Sequence, residues 1–296
     1  MHEHSGIENP LEGWMTSVFG QWKGTVGEGD YKGSGPRGGG ADVHDAIDGY
    51  GSKLLSVLIL LLLPLLTCCK PFILPLDCSD VYNQDTSLTS GVYSIYSIGA
   101  TSAVLVYCDM DSQGQWTVFQ RRLDGSVNFY RPWDQYKTGF GNAAGEYWLG
   151  EEWVLFIILE NVFYLTQRKR YELMVDMEDF DGNKVFARYS SFSIDGESDG
   201  YRLNVSGFTD GGADALNFHN QQKFTTFDRN QDSSSGNCAK TYLGAFWYNS
   251  CHHANPNGVY RWGADGTIFA VGVAWHQWKG HDYSLKTISM KIRPLQ

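Results

Sequence analysis

The sequence predicts an α+β fold built on an antiparallel sheet, with few helices. Three observations lead there. Short apolar runs rich in β-branched and aromatic residues alternate with turn residues from Cys78 onward. The stretch DFDGN (179–183) joins two such runs and is the strongest hairpin signal in the chain. Aromatic residues make up 15% of the 296 residues and glycines number 34, which suits a loop-rich body around a large aromatic core better than a helical bundle.

Residues 1–52 are polar and Gly-rich without a three-residue Gly period, so they are not collagen-like. They read as a disordered leader or an extension of the gene model. Lys53 then precedes a 13-residue apolar run, LLSVLILLLLPLL (54–66), followed by Thr67, Cys68 and Cys69. A positive residue, a short apolar run and small residues make up a secretory signal peptide, expected at 53–69. A membrane span needs about 20 apolar residues, so a signal-anchor is the second reading. Residues 70–77 read as a linker, without an RGD tripeptide.

Export agrees with the cysteines. Cys78, Cys108, Cys238 and Cys251 follow the signal, and four cysteines in an exported chain imply two disulfides with three possible connectivities. Cys68 or Cys69, if retained, could bridge two copies. Asn204 in the triplet NVS is an acceptor for N-linked glycan in such a chain. The formal net charge of −10 and the lack of a basic stripe exclude sequence-independent nucleic-acid binding.

Beyond Cys78, strands are expected at 91–98, 102–110 and 116–122, with a turn at 111–115 between the last two. A hairpin covers 170–194. Residues 216–228 read as weakly helical. Most of the chain after 228 is loop, closed by a strand at 283–294. Ordering such a loop-rich third costs roughly 1–2 kcal/mol per residue, so a disulfide and a bound ion there would offset part of that cost.

The stretch FDRNQDSSSGNC (227–238) bears on that ion. Asp228, Asn230 and Asp232 place oxygens at every second residue, as an EF-hand loop does. Counted from Asp228, however, the positions for Gly and for the bidentate Glu hold Ser233 and Ala239. The loop is not an EF-hand, and a solvated turn is the plain alternative.

Several stretches taken together carry a resemblance: WTVFQRRLDGSVNFYRPWDQYKTGFG (116–141), EYWLG (146–150), YELMVDMEDFDGN (171–183), NCA (237–239), GAFWYNSCHHANPNGVY (244–260) and WHQWKGHDYSLKTISMKIRP (275–294). They are similar, in order over 78–296, to the fibrinogen C-terminal-like domain, which ficolins and tachylectins share more distantly. The resemblance implies a small N-terminal disulfide lobe, a central antiparallel sheet and a loop-rich, calcium-binding C-terminal lobe. It implies the disulfides Cys78–Cys108 and Cys238–Cys251. It implies one Ca2+ held by the Asn230 and Asp232 side chains and the carbonyls of Ser234 and Gly236, with Asp228 only flanking. Relatives carry Asp where this chain has Asn230, so weaker calcium binding is expected.

Lectin-type relatives hold acetyl groups beside that site. Carried over by motif, the pocket is Tyr242, Cys251, His252, Phe269 and Ala270, with the N–H groups of Cys251 and His252 as donors and a cis Ser250–Cys251 peptide. Phe269 stands where some binders have Tyr. The apolar stretch EEWVLFII (151–158) departs from the family pattern and reads as an insert. The expected function is a secreted, calcium-dependent recognition protein. Its expected partners are acetylated glycans of microbial surfaces, or matrix fibres of the elastin, collagen or fibrillin type, engaged by a homo-oligomer. The alternative is a structural matrix glycoprotein with an idle pocket. His252–His253 and His281–Asp282 could suggest an enzyme, but no HExxH, CxxC pair or nucleophile elbow accompanies them.

Overall fold

A computed structural model describes residues 73–96, 103–112, 114–149, 158–264 and 267–295, within the unit Pro71–Gln296. The leader, the signal segment, Cys68, Cys69 and residues 151–157 of the insert lie outside the described residues.

Helix α1 (Cys78–Gln84) starts at Asp77, whose carboxylate accepts the Asp80 N–H at 3.0 Å. Asp77 is fully buried, so its other oxygen needs partners too. The Tyr171 hydroxyl (2.7 Å) and the Lys169 ammonium (3.2 Å) supply them. The disulfide Cys78–Cys108 then staples α1 to the sheet, as the family resemblance implied.

Strands β1 (Gly91–Ile95), β2 (Val104–Asp111) and β3 (Gly114–Arg122) follow, then α2 (Trp133–Thr138) and the short pair β4 (Phe140–Gly141) and β5 (Tyr147–Trp148). Helix α3 (Ile158–Arg168) leads into β6 (Tyr171–Glu178), β7 (Lys184–Ile194) and β8 (Leu203–Asp210). The C-terminal lobe holds α4 (Cys238–Thr241), β9 (Ala254–Asn255), β10 (Gly263–Ala264), β11 (Ala274–Trp275), α5 (His276–Lys279) and β12 (Tyr283–Ser284) before β13 (Thr287–Pro294). The main sheet is antiparallel in the order β1-β2-β3-β13-β6-β7-β8, with β5 also on β3.

The expected strands and the hairpin at DFDGN are present. Its turn is organised by the buried Asp179, which accepts the N–H groups of Asp181 and Asn183. The closing strand is shorter at its start, beginning at Thr287, and it runs through the middle of the sheet between β3 and β6. That position buries Lys291, which is neutralised by Asp176 on the adjacent β6 and by Asp109 on β2, one strand beyond β3. The expected helix over 216–228 is corrected. Only a 3-10 turn, Leu216–His219, forms. Gln221 takes φ +66°, which ends any helix, and Phe224 turns inward to pack on Trp148 and Trp247 at 5.6 and 5.3 Å between ring centres. Tertiary burial of an aromatic outweighs a weak local propensity.

The lobes meet on a buried ion pair. Arg122 ends β3 and Glu146 precedes β5, and both are about 1% exposed. The Glu146 carboxylate accepts four backbone N–H groups, from Leu123, Asp124, Gly125 and Val127, at 2.7–3.1 Å. Gly125 takes φ +78° there, and a Cβ would press on the Tyr260 ring at 2.8 Å. Arg122 lies over the Phe129 ring at 4.0 Å and donates to the carbonyls of Pro256 and Gly258 at 3.1 and 2.7 Å.

Glu146→Gln removes one charge and half of the acceptors, stranding Arg122 in the interior. The expected loss is about 3–5 kcal/mol of unfolding free energy, read as a shift in the urea midpoint. A loss below about 1 kcal/mol would sink this account of the ion pair.

Candidate functional site

The loop 228–237 is held at both ends. Asp228 accepts the Trp133 N–H at 2.9 Å and the Thr226 hydroxyl at 2.7 Å. It thereby caps α2, which begins after Pro132 and has no side-chain cap of its own. At the other end Asn237 caps α4, accepting the Lys240 N–H at 2.9 Å. Between these anchors the chain closes on itself. The Asn230 amide donates to the Gly236 carbonyl at 2.8 Å and accepts the Asp232 N–H at 3.3 Å. Asp232 accepts the N–H groups of Ser234 (3.0 Å) and Cys238 (2.9 Å), one on each oxygen. Asn230, Asp232, Ser234 and Gly236 are thus one ring of oxygen-bearing groups. Partial burial pushes the Asp232 carboxyl above its ordinary pKa, against the pull of those two N–H groups. No Lys or Arg among the described residues forms an ion pair with it.

Two links join the loop to the adjoining segment. The disulfide Cys238–Cys251 is one. The other is the Ser233 N–H donating to the Asn249 carbonyl at 3.2 Å. The structure corrects one expectation here: no described peptide bond is cis, so Ser250–Cys251 takes the trans form that is the default for a non-proline bond.

Tyr242, His252 and Ala270 come together. The Tyr242 and His252 rings meet edge to face at 4.8 Å, and His252 Nε2 lies 3.0 Å from the Ala270 carbonyl. That contact requires the proton on Nε2, which leaves Nδ1 as a buried atom without a partner. Ala270 is buried at φ +64°, a conformation that carries strain for a residue with a Cβ. Phe269, next to Ala270 in the chain, has an exposed side chain whose ring meets His281 at 5.4 Å, and His281 lies 5.3 Å from His252. Among the described residues, no acceptor takes the backbone N–H of Cys251 or His252. Small apolar walls beside N–H donors without acceptors are the kind of groups that can hold a methyl-bearing carbonyl group.

Sequence reasoning missed His219 and Asn255. His219 is fully buried; its Nδ1–H donates to the Trp247 carbonyl at 2.7 Å, and Nε2 accepts the N–H groups of His253 (3.1 Å) and Ala254 (3.0 Å). Asn255 accepts the Tyr248 hydroxyl at 2.6 Å and donates to the carbonyls of Tyr242 and Gly272, both at 3.2 Å. These two side chains brace the backbone on either side of the Tyr242–His252–Ala270 group. Nothing in the local sequence marks either one, because their partners come from distant segments. Asn204, the glycan-acceptor candidate, is half-buried on β8, donating to Asp195 at 2.9 Å and accepting from Gln221 at 2.7 Å.

Burial pushes His219 and His252 down to about 3. Histidine in an unfolded chain titrates near 6.5, so between these values the unfolded chain holds protons that the folded chain refuses. Stability is full above about pH 6.5 and falls as pH drops toward 3, by up to about 1.4 kcal/mol per pH unit for each histidine. Urea midpoints at pH 7.5, 6.5 and 5.5 should fall between the last two values, and less steeply in His252→Asn. A midpoint independent of pH over that range contradicts neutral burial.

Comparison with known proteins adds an independent line. Residues 74–295 match the family model of the fibrinogen beta and gamma chains, C-terminal globular domain. The chain is 52% identical over 227 residues to microfibril-associated glycoprotein 4 of Bos taurus, covering 74% of this chain and 85% of that protein. It is 47% identical over 212 residues to fibrinogen C domain-containing protein 1 of Homo sapiens, covering 70% of this chain and 44% of that protein. Among solved structures, the fibrinogen-like globe domain of human ANGPTL2 matches with a TM-score of 0.69 at 44% identity, covering 74% of this chain and 99% of that one. Lamprey fibrin D-dimer, complexed with the peptide ligand Gly-His-Arg-Pro-amide, matches with a TM-score of 0.66 at 30% identity, covering 86% and 90%.

Proposed function

The chain belongs to the family of the fibrinogen C-terminal globular domain, and from that premise we propose a secreted recognition protein of the extracellular matrix that binds acetylated glycans through its C-terminal lobe with calcium. The observation that carries this reading is the meeting of Tyr242, His252 and Ala270 beside two N–H groups without acceptors. An acetamide methyl suits the aromatic and Ala walls, and its oxygen suits the Cys251 and His252 N–H groups.

The calcium part is supported by the donor set. Asn230, Asp232, Ser234 and Gly236 offer oxygens, and the Asp232 carboxylate has no basic partner among the described residues. Calcium supplies positive charge that ties these oxygens together. Asp232 also holds the Cys238 N–H, so ordering this loop steadies the disulfide that reaches Cys251. Asn230 contributes no charge of its own, which lowers the affinity of the set.

The family and the matrix glycoproteins similar to this chain are non-enzymatic. Identity to microfibril-associated glycoprotein 4 favours a second partner class, matrix fibres. Single pockets bind weakly, so several copies, bridged through Cys68 or Cys69, would raise avidity. Asn204 is proposed as the glycan acceptor.

The secreted protein should be retained on N-acetylated beads in calcium and released by EDTA or free acetate. Absence of retention at saturating calcium would favour a purely structural matrix role. Asn230→Asp should tighten calcium binding by on the order of tenfold, about 1.4 kcal/mol, read by isothermal titration. An unchanged affinity would remove Asn230 from the ligand set.

A further inference from the structure

Next to the pocket, the C-terminal lobe exposes a strip of large apolar side chains. Trp262, Ile268 and Phe269 are 68%, 57% and 59% exposed. They lie on two chain segments tied to each other. The Val259 N–H donates to the Val271 carbonyl at 2.9 Å. Arg261 donates to the Ile268 carbonyl at 3.2 Å and to the Thr267 hydroxyl. Of the three, Phe269 is linked by ring contacts to the pocket wall, through His281 to His252.

Trp262 is the unusual member of the strip. Its φ of +50° lies in the left-handed region, which disfavours any side chain bulkier than hydrogen. A bulky residue persists there only where its surroundings hold it. Tyr260 provides that hold, meeting the indole edge to face at 5.2 Å. Tyr260 is itself fixed, its hydroxyl lying 3.0 and 2.8 Å from the carbonyls of Leu123 and Lys286 in the sheet body. The indole therefore stands as a preset flat face before anything binds, so little ordering cost remains to be met on binding.

We propose that Trp262 is a stacking platform for a second pyranose ring of an acetylated glycan whose acetamide occupies the pocket. The proposal rests on the pocket reading given above. A pyranose offers an apolar C–H face, which suits the indole. Three side chains present far less than the roughly 800 Å² per partner of a specific protein interface. The net charge of −10 argues against an anionic membrane surface as the occupant. A glycan ring is the partner whose size and chemistry remain.

The test compares N-acetylglucosamine with its β1,4-linked trimer by isothermal titration on the secreted protein in calcium. Wild type should bind the trimer about tenfold or more tightly than the monosaccharide. Trp262→Gly relieves the backbone strain, so it should fold at least as well; it should bind the monosaccharide unchanged and lose the gain for the trimer. Trp262→Tyr should restore part of that gain. Equal affinity for the two sugars in wild type overturns the platform while leaving the pocket standing. A Trp262→Gly loss of the same size for both sugars also overturns it, since Trp262 would then only support the pocket. Failure of wild type to bind either sugar removes the pocket reading and the platform with it. A change in sedimentation on Trp262→Gly, with trimer affinity unchanged, would mark the strip as a contact between copies and overturn the proposal.

Discussion

The buried pair Arg122–Glu146 is the constraint on which the rest of the fold leans. The two groups face each other at 3.6 Å, Nε to Oε1, an ion pair without a hydrogen bond between them. Their hydrogen bonds go elsewhere. Glu146 gathers the turn after β3 onto its carboxylate, and Arg122 reaches the carbonyls of Pro256 and Gly258. Two charges taken out of water need such extensive hydrogen bonding, and Arg122 Nε, which has no hydrogen-bond partner, is balanced only by the charge of Glu146. The pair therefore specifies where the loop-rich lobe sits on the sheet. Gln120 repeats the link, donating to the Pro256 carbonyl and to Asn257, and Asn257 passes it to the Ala245 carbonyl.

From that anchor the C-terminal lobe is organised by side chains more than by ladders. Its strands are two residues long, so its backbone groups need other partners. His219, Asn255 and Asp232 take that part, each serving two or more backbone groups. Such residues leave no apolar filler role open, which is why a conservative substitution at His219 would unsettle a wide region. The same residues flank the pocket. The proposed pocket and the stability of the lobe therefore draw on the same polar network.

Aromatic packing supplies the complementary apolar term. Tyr136, Trp148, Phe224 and Trp247 touch in series, at 5.3, 5.6 and 5.3 Å between ring centres. They come from α2, β5 and two loop segments, so the core spans the boundary between sheet and lobe. The two indoles of this series are satisfied as they pack, Trp148 at the Tyr136 carbonyl and Trp247 at the Tyr201 carbonyl. Large rings with one polar edge let irregular segments build a dense core without ladders.

The sequence by itself determined the class of the fold, the strands with strong alternation, the hairpin at DFDGN, and the family. The family resemblance also pointed to Tyr242, His252 and Ala270, which the structure brings together, and to Asn230–Gly236, which hydrogen-bond among themselves. Those features are local: period-two patterning, turn chemistry and short motifs are written in adjacent residues. Only the tertiary structure decided that Phe224 breaks a weak helix to reach the core and that the last strand is central. It alone assigned Asp228 to capping α2 and His219 to bracing residues 253 and 254. In each of these cases the deciding partner lies tens of residues away in the chain. Burial then sets the energy of the contact, and no local window of sequence carries that information.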